Sequence, residues 1–290
     1  VRSNVFLHYI DQVLPSLGET DVVLLTPRQL YPDVRPTADD SRDVARIKGS
    51  DRMARVVARA VAARVRIPHK GLTLATHTGM RIRLSSEEIE QASKGISRSR
   101  RFHDGRDPFL RRVLQQAARN VARDTGHDPE DREYCDDLIA SMVEDSTVRR
   151  EFNLMWLPTT AERIIGHLLT DASILDEAAT GILTADERAA LLRPPDAPWT
   201  SDDLPLLDEA ADALGPWEPP STAPPDVPDY RELQASDAYR IRPSHSGGNA
   251  GSLADRAIDD REWVYGHVIV DEAQELSAMA WRAIRRRASR

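Results

Sequence analysis

The run His267-Val268-Ile269-Val270-Asp271-Glu272-Ala273-Gln274-Glu275-Leu276, close to the end of a 290-residue chain, decides how the rest is read. Its first four residues suit a strand buried on both faces, because such a strand reads as a continuous apolar run. They lead straight into two adjacent carboxylates, and in open α/β sheets ligand chemistry gathers where the strands end. One carboxylate at that edge, Asp271, can hold Mg²⁺ through water, and its neighbour Glu272 can orient or deprotonate an attacking water. A strand followed by a plain acidic turn would look the same as far as Glu272. Ala273-Gln274, and then Glu275-Leu276-Ser277 opening a helix, narrow the choice toward a catalytic edge.

At this length the chain can bury one large core or two smaller ones. No apolar run approaches the length of a membrane span and no basic-apolar-small leader opens the chain. A soluble, unexported, cytoplasmic protein is expected. Cys135 is the only cysteine, which excludes an internal disulfide framework and a Cys-cluster zinc site. The chain opens on Val1 rather than Met and is read as a fragment, a trimmed chain or an unusual start. A formal charge of −8 argues against simple electrostatic binding of nucleic acid. The acidity is local: between Asp196 and Glu232 ten carboxylates accompany one base, Arg231, a window of −9 that leaves the remainder at +1.

Taken in order, Val5 to Leu14 has the apolar spacing of an amphipathic helix, and Asp21 to Thr26 reads as a buried strand ending on a polar residue. Ser50 to Arg66 restarts a helix, with Met53, Val56, Val57, Ala60 and Ala63 in one stripe. Leu72 to Thr76 and Met80 to Leu84 flank His77-Thr78-Gly79 as a β-hairpin. Three capping boxes are predicted, Ser85 with Glu88, Thr159 with Glu162, and Thr184 with Glu187. Lys94 to Arg112 is basic and could face phosphates. A solvated helix surface is favoured there, since Phe102 and Phe109 alone could stack on bases and both suit a core. Helices follow at 108–124 and 129–145, the second with Tyr134, Leu138, Ile139, Met142 and Val143 inward. From Pro198 the prolines favour an extended arm, either a solvated linker or, given Trp199, Leu204, Leu206 and Leu207, a contact-making one. Ser244 to Ser252 reads as a flexible connection and Ser252 to Asp260 as a short helix. In the last helix Trp281 and Ile284 are expected inward, while Arg282, Arg285, Arg286, Arg287 and Arg290 suit its C-terminal dipole.

Asp-Glu-Ala-Gln after an apolar strand resembles motif II, the Walker B strand, of superfamily 1 helicases of the UvrD/Rep type. Three longer pieces resemble the actinobacterial HelD family, UvrD-like helicase relatives that bind bacterial RNA polymerase. They are Phe6 to Glu19 (FLHYIDQVLPSLGE), Trp199 to Ala210 (WTSDDLPLLDEA), and Ser252 to Arg256 (SLADR) continuing through Trp263 to Ser277 (WVYGHVIVDEAQELS). The resemblance implies an α/β fold, a partial RecA-like P-loop NTPase domain with a large, mostly helical insertion. Residues 1–40 and 236–290 would be two parts of the ATPase domain, the second ending just after Walker B. Residues 41–235 would be the insertion, with an acidic Pro-rich primary-channel arm near 196–232. The resemblance further implies ATP and Mg²⁺ as cofactors, core RNA polymerase and DNA or RNA as partners, and no membrane. Asp271 would hold the metal and the nucleotide, Glu272 would activate water, and Gln274 would couple the nucleotide state to movement. Asp202, Asp203, Asp208 and Glu209 would form an acidic tip that approaches the polymerase's catalytic metal. Thr26 falls where the family has a helicase motif near the nucleic-acid path.

The departures bear on activity. Gly-x-x-x-x-Gly-Lys-Ser/Thr occurs nowhere in the chain, Ala278 stands where the family has Pro, and no motif III or arginine finger follows motif II. Carboxylates without a phosphate cradle predict that this chain alone hydrolyses no ATP. A sheet short of its partner strands would also expose apolar edges. Three functions stay open: part of a HelD-like ATPase that clears and recycles RNA polymerase, part of a UvrD/Rep-type DNA-repair helicase, or an ATP-independent polymerase-binding module. The acidic arm counts against the second, because tracking a duplex needs basic contacts to phosphate.

Overall fold

The structure, a computed structural model, describes residues 22–29, 31–96, 101–217 and 260–289. The helices expected over 5–14 and 252–259 and the connection over 244–252 lie outside the described residues. What is described is mostly helical, with one two-stranded antiparallel sheet. Neither strand expected of an α/β domain is present. Residues 22–26 and 267–270 have no regular structure and pair with no described segment, and Ile269 is 86% exposed. A strand exists through its ladder with a neighbour. An apolar run without one stays irregular, however strong its β propensity.

Of the described residues, those up to 58, 161–210 and 260–289 form one compact unit, and 59–160 with 211–217 form another. In the first, helix α1 (Arg42–Lys48) is capped by Ser41, and α2 (Arg52–Ala62) begins with the predicted stripe, Met53, Val56 and Val57 being fully buried. Helices α7 (Ala161–Thr170), α8 (Ala172–Ala179) and α9 (Ala185–Leu191) supply Ile165, Leu168, Leu169, Leu175 and Leu191 to its core. The capping box of Thr184 and Glu187 forms as expected. The box of Thr159 and Glu162 does not. Glu162 instead accepts the Tyr31 hydroxyl at 2.5 Å, and the Thr159 hydroxyl is buried with no hydrogen-bond partner among the described residues.

The stretch expected as an extended arm is folded as far as it is described. A 3-10 turn at Ser201–Asp203 runs into helix α10 (Leu204–Leu214), which buries Leu204, Leu206, Leu207 and Ala210. Pro205 does not prevent this, because a proline in the first helical turn has no intrahelical N–H bond to lose. The proline-dense part begins at Pro216, after the helix ends. Helix α11 (Ala278–Arg287) closes the unit. It buries Met279, Ala280, Ala283 and Arg287, while Trp281 and Ile284, expected inward, are half-exposed. Arg282 and Arg286 turn the helix, because their partners lie on α10.

In the second unit, β1 (Leu72–Ala75) and β2 (Arg81–Leu84) pair in register, Leu72 opposite Leu84 and Ala75 opposite Arg81. Ile82 and Leu84 face inward while Arg81 and Arg83 face solvent. Ser85 and Glu88 make the predicted capping box on α3 (Ser86–Ser93). Helix α4 (Phe102–Asp124) starts six residues before the predicted position and carries Pro108 within it. Gly105 and Pro108 are poor helix formers, so local preference argues against those first turns. Packing overrides it. Phe102 and Phe109 lie 5.2 and 5.0 Å from the buried ring of Trp156, whose indole N–H donates to Phe102 O. Helices α5 (Arg132–Glu144) and α6 (Ser146–Met155) follow, with Met142, Val148 and Phe152 buried. Of the five α5 residues expected inward, Met142 alone is fully buried. No helix among the described residues is long and apolar enough to cross a membrane.

Candidate functional site

The motif segment is held at both ends. Tyr265 N–H donates to Arg287 O at 2.7 Å, and Ser289 N–H donates to Tyr265 O at 2.9 Å. On the far side Ser277 caps α11 by accepting Ala280 N–H, and Met279 N–H donates to Gly49 O at 3.1 Å. A side chain at position 49 would meet Ser277 Cβ at 2.6 Å, so a glycine there lets the start of α11 approach the end of α1.

Between these anchors the chain turns sharply. Glu272 sits in the left-handed region at φ 49°, ψ 40°, and Ala273–Glu275 form a 3-10 turn. A non-glycine residue there carries backbone strain of roughly 1–2 kcal/mol. Local bonds hold it: Glu272 N–H donates to Asp271 Oδ1 at 2.9 Å, and Gln274 Nε2 donates to Glu272 Oε2 at 2.5 Å. Asp271, Glu272 and Gln274 are all exposed. Among the described residues neither Asp271 nor Glu272 is paired with a lysine, arginine or histidine. Two adjacent solvated carboxylates suit Mg²⁺, which keeps most of its waters and takes one or two carboxylates. Among the described residues there is no cluster of three or more His, Cys, Asp or Glu that could hold a metal by itself. The sequence has no phosphate-cradling loop to hold a nucleotide's phosphates.

The four carboxylates read as an acidic tip are placed quite differently from one another. Asp203 is fully buried between Lys48, 2.8 Å from its Oδ1, and Arg193, 2.7 Å from its Oδ2. Thr200 N–H also donates to Oδ2 at 2.9 Å. Asp40 completes this cluster, its Oδ2 lying 2.6 Å from Lys48 Nζ and accepting the Thr200 hydroxyl. Burial works to raise the Asp203 pKa, but Lys48, Thr200 and Arg193 outweigh it and the carboxyl is held below its ordinary value. Asp208 and Glu209 are also buried, on α10 facing α11. Arg282 grips Glu209 with two bonds, at 2.8 and 3.0 Å, and Arg286 donates to both carboxylates. Burial raises the Asp208 pKa against the pull of Arg286, whereas Arg282 and Arg286 keep Glu209 below its ordinary value despite burial. Asp202 alone of the four is half-exposed, and burial with nearby Asp40 pushes its pKa up. The tip is thus three caged carboxylates and one accessible one.

Sequence reasoning missed Lys48 and Arg193 altogether, and assigned Arg282 and Arg286 to the helix dipole. The signal for the second pair was present: arginines at i and i+4 in a basic helix match adjacent acids in a window of −9. No helical spacing marks Lys48, because Asp40 lies eight residues back and Asp203 comes from a distant part of the chain.

The described residues of the basic stretch 94–112 offer no base-stacking surface. Phe102, Phe109 and Arg106 are buried, and Arg106 is spent on Trp156 O and Asn153 Oδ1. Arg112 donates to the carbonyls of Ala92 and Lys94 at the end of α3. Thr26, expected near a nucleic-acid path, bonds locally, its N–H and hydroxyl both donating to Gln29 Oε1. In comparisons with known proteins no family model matches the chain, and no curated protein matches it.

Proposed function

We propose that this chain is part of a HelD-like, ATP-dependent helicase-family factor that binds the core of bacterial RNA polymerase in the cytoplasm, clears nucleic acid from it and recycles it. In this reading residues 1–40 and 236–290 belong to a RecA-like ATPase domain and 41–235 to its insertion. The observation that carries it is the pair Asp271 and Glu272, exposed, without an internal cation, and followed by a turn and a Ser277-capped helix. That is where motif II of the resembling family has its metal-holding and water-orienting carboxylates. Asp271 would hold the Mg²⁺ of a bound ATP, Glu272 would orient water, and Gln274, bonded to Glu272, would carry the change onward. The turn Ser201–Asp203 and the helix α10 that follows it have a role beside it. Asp202 remains to meet a basic channel wall or a metal, while Asp203, Asp208 and Glu209 hold the element that presents it.

Immobilised chain incubated with core RNA polymerase tests this. Retention of polymerase that Asp202→Asn weakens several-fold is expected, since that change neutralises the accessible carboxylate without opening a buried pair. A folded wild-type chain that retains no polymerase, or an Asp202→Asn chain that retains it equally, overturns the reading.

A further inference from the structure

The acidic window of the chain has a basic counterpart. From Arg52 to Ser86 the sequence carries eight lysines and arginines and no aspartate or glutamate, in a chain that holds 47 carboxylates. No phenylalanine, tyrosine or tryptophan falls in that window either. Its second half folds as the hairpin of the second unit, with Thr73 opposite Arg83 and Ala75 opposite Arg81. Ile82 and Leu84 turn inward, so Thr73, Ala75, Arg81 and Arg83 share the outer face of the ribbon, and all four are exposed. Arg66 and Lys70, also exposed, lead into β1.

The ribbon is fastened at both ends. At the hairpin turn Asp145 accepts the backbone N–H of His77 at 2.9 Å, and the His77 ring Nδ1 lies 2.8 Å from the same oxygen. At the other end Gly71 N–H donates to Ser86 Oγ at 3.0 Å, and the Ser86 hydroxyl donates to Pro68 O at 2.5 Å. Gly71 has φ +70°, and a Cβ there would meet Leu84 O at 2.3 Å, so glycine lets the chain turn closely onto the end of β2. Asn120 on α4 donates to Arg83 O at 2.9 Å. The outer face is thus set before any ligand arrives, which lowers the ordering cost of binding. Its two guanidinium groups are also available. Arg81 has no ion pair among the described residues. Arg83 meets Asp124 at 3.4 Å with both side chains about half exposed, a kind of pair that contributes little and yields to a stronger anion.

Spacing and composition select the anion. Two residues along a strand put Arg81 and Arg83 about 6–7 Å apart at their Cα atoms, so each can take a separate group of a polyanion. Without an aromatic side chain the face has no platform for unstacked bases, on which single-strand binders rely. A two-stranded ribbon fits the major groove of B-form DNA, whereas the A-form groove of duplex RNA is too narrow for side chains to enter. Thr73 and Ala75, opposite the arginines, are small enough to leave that entry clear. We propose that the outer face of β1 and β2 binds duplex DNA, the ribbon lying in the major groove with Arg81 and Arg83 on its phosphates and Arg66 and Lys70 adding charge. Phosphate contacts of this kind position the duplex without reading its sequence. The binding needs neither polymerase nor nucleotide, so this reading and the polymerase reading fail separately.

The test is fluorescence anisotropy of a labelled DNA duplex of about 20 base pairs, titrated with the full chain between about 50 and 200 mM salt. The wild-type chain should bind. Arg81→Gln combined with Arg83→Gln should weaken binding about tenfold or more at the lowest salt, and make the slope of log K against log salt shallower by about two. Arg42→Gln combined with Arg46→Gln, which removes the same charge from exposed positions on α1, should bind as the wild type does. Duplex RNA and single-stranded DNA of equal length should bind several-fold more weakly, and polyglutamate should compete poorly. A wild-type chain that binds no duplex overturns the proposal. So does an undiminished Arg81→Gln, Arg83→Gln chain, or an equal loss in the two double variants. RNA, single strands or polyglutamate held as tightly as duplex DNA overturns it too. Circular dichroism shows whether the first double variant is folded. If it is not, Thr73→Glu, which sets a carboxylate opposite Arg83, must reproduce the loss, and unchanged binding by that variant overturns the proposal.

Discussion

Single side chains in this protein matter most where they answer a buried need far away in sequence. Asp145 caps α6 through Thr147 and Val148 N–H, and also accepts the backbone N–H and the ring of His77. Burial works to raise its pKa, but the His77, Val148 and Thr147 bonds outweigh it and bring the carboxyl down to about 2 from 3.8. A depressed carboxylate stabilises the fold above its unfolded value, and that contribution disappears as pH falls from 3.8 toward about 2. Asp145→Ala should cost about 1–2 kcal/mol at neutral pH, the cap and linkage contributions being softened by water around the exposed His77. Urea unfolding across this acid range should then show a flatter acid limb in the variant. Superimposable limbs would contradict the assignment. Lys48 is the opposite case, a buried cation whose loss takes the cationic partner from Asp40 while Asp203 keeps Arg193 and the Thr200 N–H. Lys48→Met should lower stability by about 3–5 kcal/mol, and adding Asp40→Asn should recover part of that loss. Denaturant midpoints of the single and double variants measure both.

At the scale of elements, helix starts are set by two kinds of force, and α4 and α10 separate them. Helices α3 and α9 begin where a Ser or Thr meets a Glu three residues on, a bond made within one turn and so readable in the sequence. Helix α4 begins where Phe102, Gly105 and Phe109 close on Trp156, and no local pattern announces it. A Cβ at Gly105 would lie 2.8 Å from Ile96 Cγ2 and 2.9 Å from Trp156 Cζ2. Gly105→Ala should therefore destabilise the unit by about 1–3 kcal/mol through overpacking, although alanine is the better helix former by about 1 kcal/mol. Thermal unfolding checks the sign: a raised Tm would mean that the contact relaxes freely. In α10, four apolar residues buried against the unit's core outweigh a composition that reads as a solvated arm. The helix is then tied to α11 by the Asp208–Glu209 and Arg282–Arg286 cluster.

For the molecule as a whole, the expectation that concerns activity is negative. The sequence has carboxylates for a metal at Asp271 and Glu272 and no phosphate-cradling loop. Phosphate release from Mg²⁺-ATP by this chain should stay at background and be unchanged in Asp271→Asn and Glu272→Gln. Turnover that vanishes in either variant would overturn this and show Asp271 or Glu272 working with a phosphate cradle built from other residues. The sequence alone determined what depends on neighbours within a turn or a hairpin. That covers the capping boxes of α3 and α9, the alternation of β2, the stripe of α2, and the adjacency of Asp271 to Glu272. Tertiary structure decided what depends on a partner elsewhere in the chain. The run 267–270 has the composition of a strand, but a strand needs a ladder, and no described segment offers one. Asp203, Asp208 and Glu209 have the composition of a solvated acidic tip, but Lys48, Arg193, Arg282 and Arg286 draw them inside. Local bonds are encoded at a spacing that can be read. Ladders and buried charge pairs are encoded between residues that only the folded chain brings together.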